Sequence, residues 1–407
     1  MDSFSPSGLQ SLGLQTLEQT LSYHKSQVSL KIGLPRERSN DETRLCLTPS
    51  GVGILVANGH QVYLETNAGA LAHFSDQAYS EAGAQVVSTP AELYQKADLI
   101  VKVAPPEPDE VALLREQQIL ISALHLGAVR SDFFQSLYDR GVTGIGFEFI
   151  RDEDGTFPIV RMNHEITGSL AIQVASRYLE SAHEGQGILL GGISGVPPAT
   201  VVILGAGIIG EYAARTALGY GAQVFVLDND LTALRRLENA LDRRIVTAMA
   251  NQQYLTNSLK FADVVIGAVM EEGKRAPVWV TEPMVRLMKP GSVIVDTVID
   301  QGGCLATSRL TTHSRPVYRE FDVVHYCVPN MPARVARTGT YALNNVLMPY
   351  LIAIGDAGTI HDALWSNTAL RNGTYLYKKH ITQKMLQSNH NLPYRDIQMM
   401  MRLKNEN

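Results

Sequence analysis

Short, nearly unbroken apolar runs alternate along this chain with longer stretches in which apolar side chains recur every three or four positions. The first pattern predicts strands buried on both faces, the second helices with one buried face. From Val28 the order is strand Val28–Leu34, helix Thr48–Asn58, strand Gln61–Glu65 and a helix capped by Ser75 that runs to Gly83. Strands Asp98–Val103, Ile119–Leu124 and Gly144–Ile150 follow, with helices Pro108–Glu116 and Ser131–Arg140 between them. A long helical pattern from His164 to Ala182 reads as a connector, and a loop rich in glycine and proline, Gly185–Pro198, leads out of it. Strands Val201–Leu204, Gln223–Leu227, Asp263–Val269 and Ser292–Val298 then alternate with helices at Leu231–Leu241 and Thr281–Met288. Beyond Pro332 the patterns at Thr340–Ile354 and Asp362–Leu370 are helical.

Strands alternating with helices imply mainly parallel, doubly wound sheets. The expected fold is α/β, with two Rossmann-like domains and a cleft between them. Ala97-Asp98-Leu99-Ile100-Val101 and Ala262-Asp263-Val264-Val265-Ile266 echo each other, both entering strands. The expected boundaries are an N-terminal arm at 1–27, a discontinuous substrate domain at 28–158 plus 337–407, and a nucleotide-binding domain at 159–336.

The most informative stretch is Val201-Val202-Ile203-Leu204-Gly205-Ala206-Gly207-Ile208-Ile209-Gly210, with Asp228 eighteen residues beyond Gly210. Strand, glycine turn, helix and terminal acid together form a dinucleotide fingerprint. Gly205 permits the tight turn, Gly207 lets backbone approach a pyrophosphate, and Gly210 lets helix and strand pack closely. Asp228 suits the adenine ribose hydroxyls, and Asn229 and Asp230 supply no arginine for a 2′-phosphate, so NAD is expected over NADP.

Composition narrows the setting. At 407 residues, two domains are the default. A formal charge of -5 without basic runs gives no footprint for nucleic acid. No apolar run approaches the roughly 20 residues that span a bilayer. Cys46, Cys304 and Cys327 are too far apart for a metal motif and fit free thiols in a reducing compartment. MDSFSPSGLQSLG lacks the basic start and apolar core of a signal peptide, so a cytoplasmic protein is expected.

Ligands of open α/β sheets sit at the carboxyl ends of the strands. That rule selects Arg44, Lys102, His125 and Asp300. A guanidinium grips a carboxylate with two parallel hydrogen bonds, an imidazole exchanges protons near neutrality, and a carboxylate can take one from an amine or water. Each has a plainer alternative: a surface ion pair for Arg44, an edge lysine for Lys102, a hydrogen-bonded structural histidine, and a turn aspartate. Cys304 and Cys327 read as buried thiols. Position alone leaves the reaction open.

From Lys31 to Gly358 the chain resembles the alanine dehydrogenases, relatives of the NAD(H)-binding subunit of nicotinamide nucleotide transhydrogenase. The resemblance rests on Gly33-Leu34-Pro35-Arg36-Glu37 with Glu42-Thr43-Arg44, Leu124-His125-Leu126, Leu189-Leu190-Gly191-Gly192 and the glycine turn. It continues through Ile266-Gly267-Ala268-Val269, Ile299-Asp300-Gln301-Gly302-Gly303-Cys304 and Tyr326-Cys327-Val328-Pro329-Asn330-Met331-Pro332. It implies reversible oxidative deamination of L-alanine to pyruvate and ammonium with hydride transfer to NAD. Arg44 and Lys102 would hold the substrate, and His125 and Asp300 would be the acid–base pair. Asp228 would hold the adenosine ribose, and Val269, Asn330 and His164 would line the cofactor. It also implies a homo-oligomer, commonly a hexamer, with an amino acid or 2-oxo acid as the small-molecule partner.

The chain departs from the family at several positions. The usual Lys-Val-Lys strand reads Lys102-Val103-Ala104, so the second lysine is missing. Asn163 and His164 replace methionine and serine, and Ala123 replaces an aromatic residue. Lys102 is expected to reach the substrate anion from one step back, with His164 as an alternative. Another small amino acid as substrate, a transhydrogenase-like subunit, or an NAD(H) sensor without turnover share these motifs.

Overall fold

A computed structural model describes residues 29–39, 41–124, 131–271, 274–387 and 392–402. The expected N-terminal arm at 1–27 lies outside the described residues.

The first sheet is built from β1 (Lys31–Leu34), β2 (Gln61–Glu65), β3 (Gln85–Val87), β4 (Leu99–Val101), β5 (Ile119–Ser122) and β6 (Thr143–Gly146). These lie parallel in the order β3-β2-β1-β4-β5-β6. The second sheet contains β7 (Thr200–Leu204), β8 (Gln223–Asp228), β9 (Val246–Met249), β10 (Val264–Gly267), β11 (Val293–Asp296), β12 (Val317–Glu320) and β13 (Val323–Tyr326). Its parallel strands run β9-β8-β7-β10-β11-β13, with β12 antiparallel at the edge. The two sheets share one doubly wound topology, in which strand order reverses next to the first strand of each. The Ala-Asp echo marks equivalent places: Asp98 precedes β4 and Asp263 precedes β10, the fourth strand of each sheet.

Central strands are almost wholly apolar because helices cover both faces. Every residue of β4, β5, β10 and β11 is buried. Helix starts follow local chemistry. Thr48, Ser75 and Thr89 accept hydrogen bonds from the first-turn amides of Pro49–Ala57, Asp76–Glu81 and Pro90–Lys96.

The connector helix begins at Pro158, earlier than expected, because proline at the first helical position loses no hydrogen bond. It runs to Tyr178 and serves both cores. Ile159 and Met162 pack beneath the first sheet, whereas Leu170, Ala171, Ile172, Val174 and Ala175 pack beneath the second. Gly168 permits its close crossing with helix Ile208–Tyr220, since a Cβ there would strike the Ile209 carbonyl.

Helix Ala336–Ala357 returns to the first core with Leu343, Leu347, Met348, Leu351 and Ile354. After it, β14 (Thr374–Tyr377) and β15 (His380–Ile381) extend the first sheet in the order β15-β14-β6. β14 is antiparallel to β6. The Tyr375 ring is buried against Phe134 and lies where a Cβ on Gly144 would be. Gly144→Val should therefore cost about 1–3 kcal/mol by overpacking. The measurement is the midpoint of thermal unfolding; a variant that melts with the parent chain would mean β14 yields there.

Candidate functional site

The glycine turn lies at the strand-order reversal of the second sheet, between β7 and β10. Gly205 has φ +106°, a left-handed conformation, and a Cβ on it would lie 2.6 Å from the Ala268 carbonyl oxygen. A Cβ on Gly210 would overlap the Gly205 carbonyl oxygen, so only glycine lets the helix start this close. Gly207, the N-cap of helix Ile208–Tyr220, faces open space: nothing lies within 4 Å of a Cβ built there. Three glycines thus have three separate reasons, and the free one opens at a helix N-terminus, where backbone amides favour phosphate.

Asp228 ends β8, and its Oδ2 accepts from Ala206 N at 2.5 Å while Oδ1 accepts from Asp230 N at 2.8 Å. It therefore braces the turn at the place suited to a ribose. Val269 is buried just past β10, its amide 3.2 Å from a Cβ built on Gly205. These features fit a dinucleotide: an open cradle at Gly207, a carboxylate at the end of β8 and an apolar wall at Val269. Arg236 Nη2 donates to Ala206 O at 2.8 Å, so this arginine, eight residues past Asp228, is spent on the turn. His164 is one helical turn before Gly168 and thus on the helix face turned toward Ile208–Tyr220. Burial lowers its pKa to about 4, leaving the ring neutral at physiological pH.

The second cluster is centred on Arg44, which is 5 % exposed. Its loop is fastened to the chain leading into helix Ala336–Ala357. Thr43 Oγ1 donates to Ala333 O, and Leu45 N donates to Thr340 Oγ1 at 3.0 Å. Gly339 clears space for the arginine stem, because a Cβ there would strike Arg44 Cδ. Glu42 takes one whole edge of the guanidinium: Nε donates to Oε1 at 2.8 Å and Nη2 to Oε2 at 2.7 Å. Nη2 also donates to Asn330 Oδ1 at 2.9 Å, and Nη1 donates to Asn163 Oδ1 at 2.8 Å. The two-pronged grip expected for a substrate carboxylate is therefore held by Glu42.

Burial pushes the Glu42 carboxyl up, but the adjacent guanidinium reverses this and leaves it below the usual range. Asn330 stands at φ +49°, which asparagine tolerates better than most residues. There its Nδ2 donates to Asp41 O at 2.8 Å and Glu42 Oε2 at 3.0 Å. Asn330 thus connects the nucleotide-binding sheet to Arg44.

Lys102 differs from expectation. Its ammonium is 1 % exposed and donates to Glu110 Oε1 and Oε2 at 2.6 and 2.7 Å, with Glu37 Oε2 at 3.5 Å. A buried ammonium needs counter-charge, and here the protein supplies two carboxylates in place of a substrate anion. Glu37 in turn accepts from Val103 N at 2.7 Å and Ala104 N at 3.4 Å. Neither glutamate is marked by any sequence periodicity; their pairing arises only when β1 and β4 become neighbours.

Asp300 lies on the 3₁₀ turn Ile299–Gln301 past β11, exposed, its Oδ1 accepting from Gln301 N at 3.1 Å. The turn is held from beneath by Asp296, which is wholly buried and was legible in the sequence only as a strand residue. Asp296 Oδ2 accepts from Cys304 N at 3.0 Å and Ser308 Oγ at 2.6 Å. Gly302 and Gly303, at φ +99° and +74°, fold the chain back to make those bonds. Cys46, Cys304 and Cys327 are all free and buried. His125 lies outside the described residues. The chain entering it is held at Leu124 N, which donates to both Glu148 oxygens at 2.8 and 3.0 Å.

A doubly wound pair of sheets, with a glycine turn at one strand reversal and a buried arginine cluster near the other, defines a two-domain nucleotide-binding protein. The chain belongs to the alanine dehydrogenase/PNT family, matching its N-terminal domain over residues 33–167 and its C-terminal domain over 171–384. It is 41% identical to an alanine dehydrogenase of Methanococcus maripaludis, over 89% of this chain and 97% of that one. It is 42% identical to an alanine dehydrogenase of Bacillus subtilis, over 86% and 92%. A solved L-alanine dehydrogenase superposes with a TM-score of 0.84 at 40% identity, covering 88% of this chain and 98% of that one. A transhydrogenase from Sinorhizobium meliloti shares the fold, with a TM-score of 0.75 at 22% identity and coverage of 87% and 99%. Among the described residues no helix is long and apolar enough to cross a membrane, and no cluster suited to a metal occurs.

Burial raises the Glu37 pKa from 4.5 to about 7, with Lys102 opposing the rise. An acid raised in the folded state lends stability that is full below its unfolded pKa and is lost as pH rises through the folded one. The melting temperature should therefore carry a downward contribution between about pH 4.5 and 7 that Glu37→Gln removes. A thermal-shift series in which both proteins slope alike would show that Glu37 does not titrate in this window.

Proposed function

We propose that this protein is an NAD-dependent alanine dehydrogenase of the cytoplasm that interconverts L-alanine and water with pyruvate and ammonium. The observation that carries the reading is the meeting of Arg44 with Asn330. A carboxylate-binding cation from the first sheet is tied directly to the sheet that bears the dinucleotide turn. The relatives named alanine dehydrogenase cover nearly the whole chain and support the same reading. Residues 28–158 with 337–407 form its substrate unit and 159–336 its nucleotide unit, an assignment supported by the pairing of β14 with β6.

Gly205, Gly207 and Gly210 would hold NAD on their turn, and the bound cofactor would supply the acceptor for the hydride of the substrate Cα. Asp228 receives the adenosine ribose, and Val269, Asn330 and the neutral His164 line the cofactor. Arg44 orients the substrate carboxylate through its Nη1 edge, kept in plane by Glu42. His125 and Asp300 move the protons. One takes a proton from the amine as the imine forms, and one takes a proton from water as it adds to the imine carbon. Collapse of that adduct returns a proton to the departing ammonia, passes the hydroxyl proton to the acid–base pair and leaves pyruvate. Lys102 acts at a distance, as a positioning residue that fixes Glu37 beneath the end of β4.

Purified protein should reduce NAD with L-alanine, followed by absorbance of the reduced cofactor. His125→Ala and Asp300→Asn should each lower kcat about 100-fold or more while leaving NADH affinity unchanged. Turnover with a different small amino acid only would move the specificity. Silence across an amino-acid panel, with NADH still bound, would favour a transhydrogenase-like or sensing role.

The protein assembles with itself, as a hexamer by resemblance. Leu189, Ile193, Val196 and Tyr220 are large apolar side chains about half to two-thirds exposed, and they lie on one loop and the adjoining helix end. Such a patch is characteristic of a surface that another chain covers. Light scattering should find an oligomer in solution and a smaller species for Ile193→Asp; an unchanged mass would place the interface elsewhere.

A further inference from the structure

We infer that Asn163 is a substrate-recognition residue, its side-chain amide donating to the carboxylate of the amino acid or 2-oxo acid beside Arg44. The inference rests on the dehydrogenase reading in taking a carboxylate as ligand.

The chemistry of the contact fixes the orientation of Asn163. A guanidinium has five N–H donors and no acceptor. The Asn163 atom 2.8 Å from Arg44 Nη1 is therefore the oxygen, and the NH₂ half of the amide points away from the arginine. The same reasoning applies to Asn330, whose NH₂ is fully used by Asp41 O and Glu42 Oε2. Asn163 differs. Its backbone oxygen accepts from Thr167 Oγ1, but among the described residues no protein acceptor faces its Nδ2.

Arg44 has one donor in the same state. Nε, Nη2 twice and Nη1 once are accepted by Glu42, Asn330 and Asn163, which accounts for four of the five hydrogens. The remaining hydrogen is on Nη1, the nitrogen that Asn163 touches. Among the described residues, two unsatisfied donors therefore belong to one hydrogen-bonded pair of side chains, one carrying the arginine's charge and one neutral. The two oxygens of a carboxylate are complementary to such a pair.

The other groups nearby are excluded as partners. Lys102 is enclosed by Glu110 and Glu37, Ala104 presents a buried methyl, and Glu42 already neutralises Arg44. Because Glu42 already pairs with Arg44, an uncharged donor contributes a large share of the recognition. Asn163 is also half-buried at the start of the long helix, next to Met162 in the first core, which holds it in place.

The test is calorimetric titration of pyruvate into the protein saturated with NADH, without ammonium, so that the readout is binding whether or not the chain turns over alanine. Asn163→Leu removes both halves of the amide. Asn163→Asp keeps the oxygen that Arg44 needs and replaces the donor with a second acceptor. Both should weaken pyruvate about 10- to 100-fold, with NADH affinity unchanged as the control for folding. Asn163→Gln should recover part of the loss.

If Asn163→Asp binds pyruvate like the parent chain, the residue merely steadies Arg44 and the inference is overturned; parental affinity in Asn163→Leu overturns it too. A leucine variant that fails to bind NADH leaves the decision to the aspartate variant. Alanine turnover in the parent with unchanged pyruvate affinity in both variants would refute this inference alone. A parent chain that binds NADH but no 2-oxo acid would refute it together with the dehydrogenase reading.

Discussion

The ion pair of Arg44 with Glu42 is the constraint on which the cleft depends. Two charges are buried there almost completely, and burial of that kind is tolerated only when the charges are paired and nearly all their donors and acceptors are matched. The matching draws on the whole molecule. Glu42 and Arg44 come from the loop after β1, Asn163 from the connector helix, and Asn330 from the loop after β13. Thr340 and Gly339 belong to the returning helix. Removing one partner of a buried pair typically costs about 3–5 kcal/mol because the other is left uncompensated. The arginine is consequently a fixed point around which both sheets are arranged.

The two sheets show how one topology is put to two uses. At the reversal of the second sheet, β7 ends in a glycine turn whose open side exposes backbone amides. At the reversal of the first, the chain's own Glu37 reaches across from the end of β1 to the amides of Val103 and Ala104. The crevice that stands open beside Gly207 in one sheet is filled by a carboxylate in the other. That substitution explains why only one half of the molecule carries a nucleotide fingerprint although both have the same strand order.

Much of this was legible in the sequence, and the exceptions have a common cause. Nine of the fifteen strands among the described residues and most helices follow from apolar periodicity, and the roles of Gly205, Gly207 and Gly210 follow from backbone sterics within ten residues. Features local in sequence were readable. β3, β9, β12, β13, β14 and β15 were not, because two to four residues make too short a run to distinguish from a loop. The enclosure of Lys102 by Glu110 and Glu37, the capture of Arg44's bidentate edge by Glu42, and the support of Asp300 by Asp296 are tertiary. Each joins residues whose types are informative but whose partners are chosen by packing. The family resemblance pointed to the missing lysine at Ala104 without indicating that the remaining lysine would be enclosed by Glu110 and Glu37.

The helix Pro158–Tyr178 has a consequence for how the molecule comes apart. Its first two turns are part of one hydrophobic core and its later turns part of the other. Neither sheet can lose its packing without stripping side chains from a rod that the other sheet also needs. Although the architecture is bipartite, the two halves are thermodynamically coupled, and denaturation is a property of the whole chain rather than of either lobe.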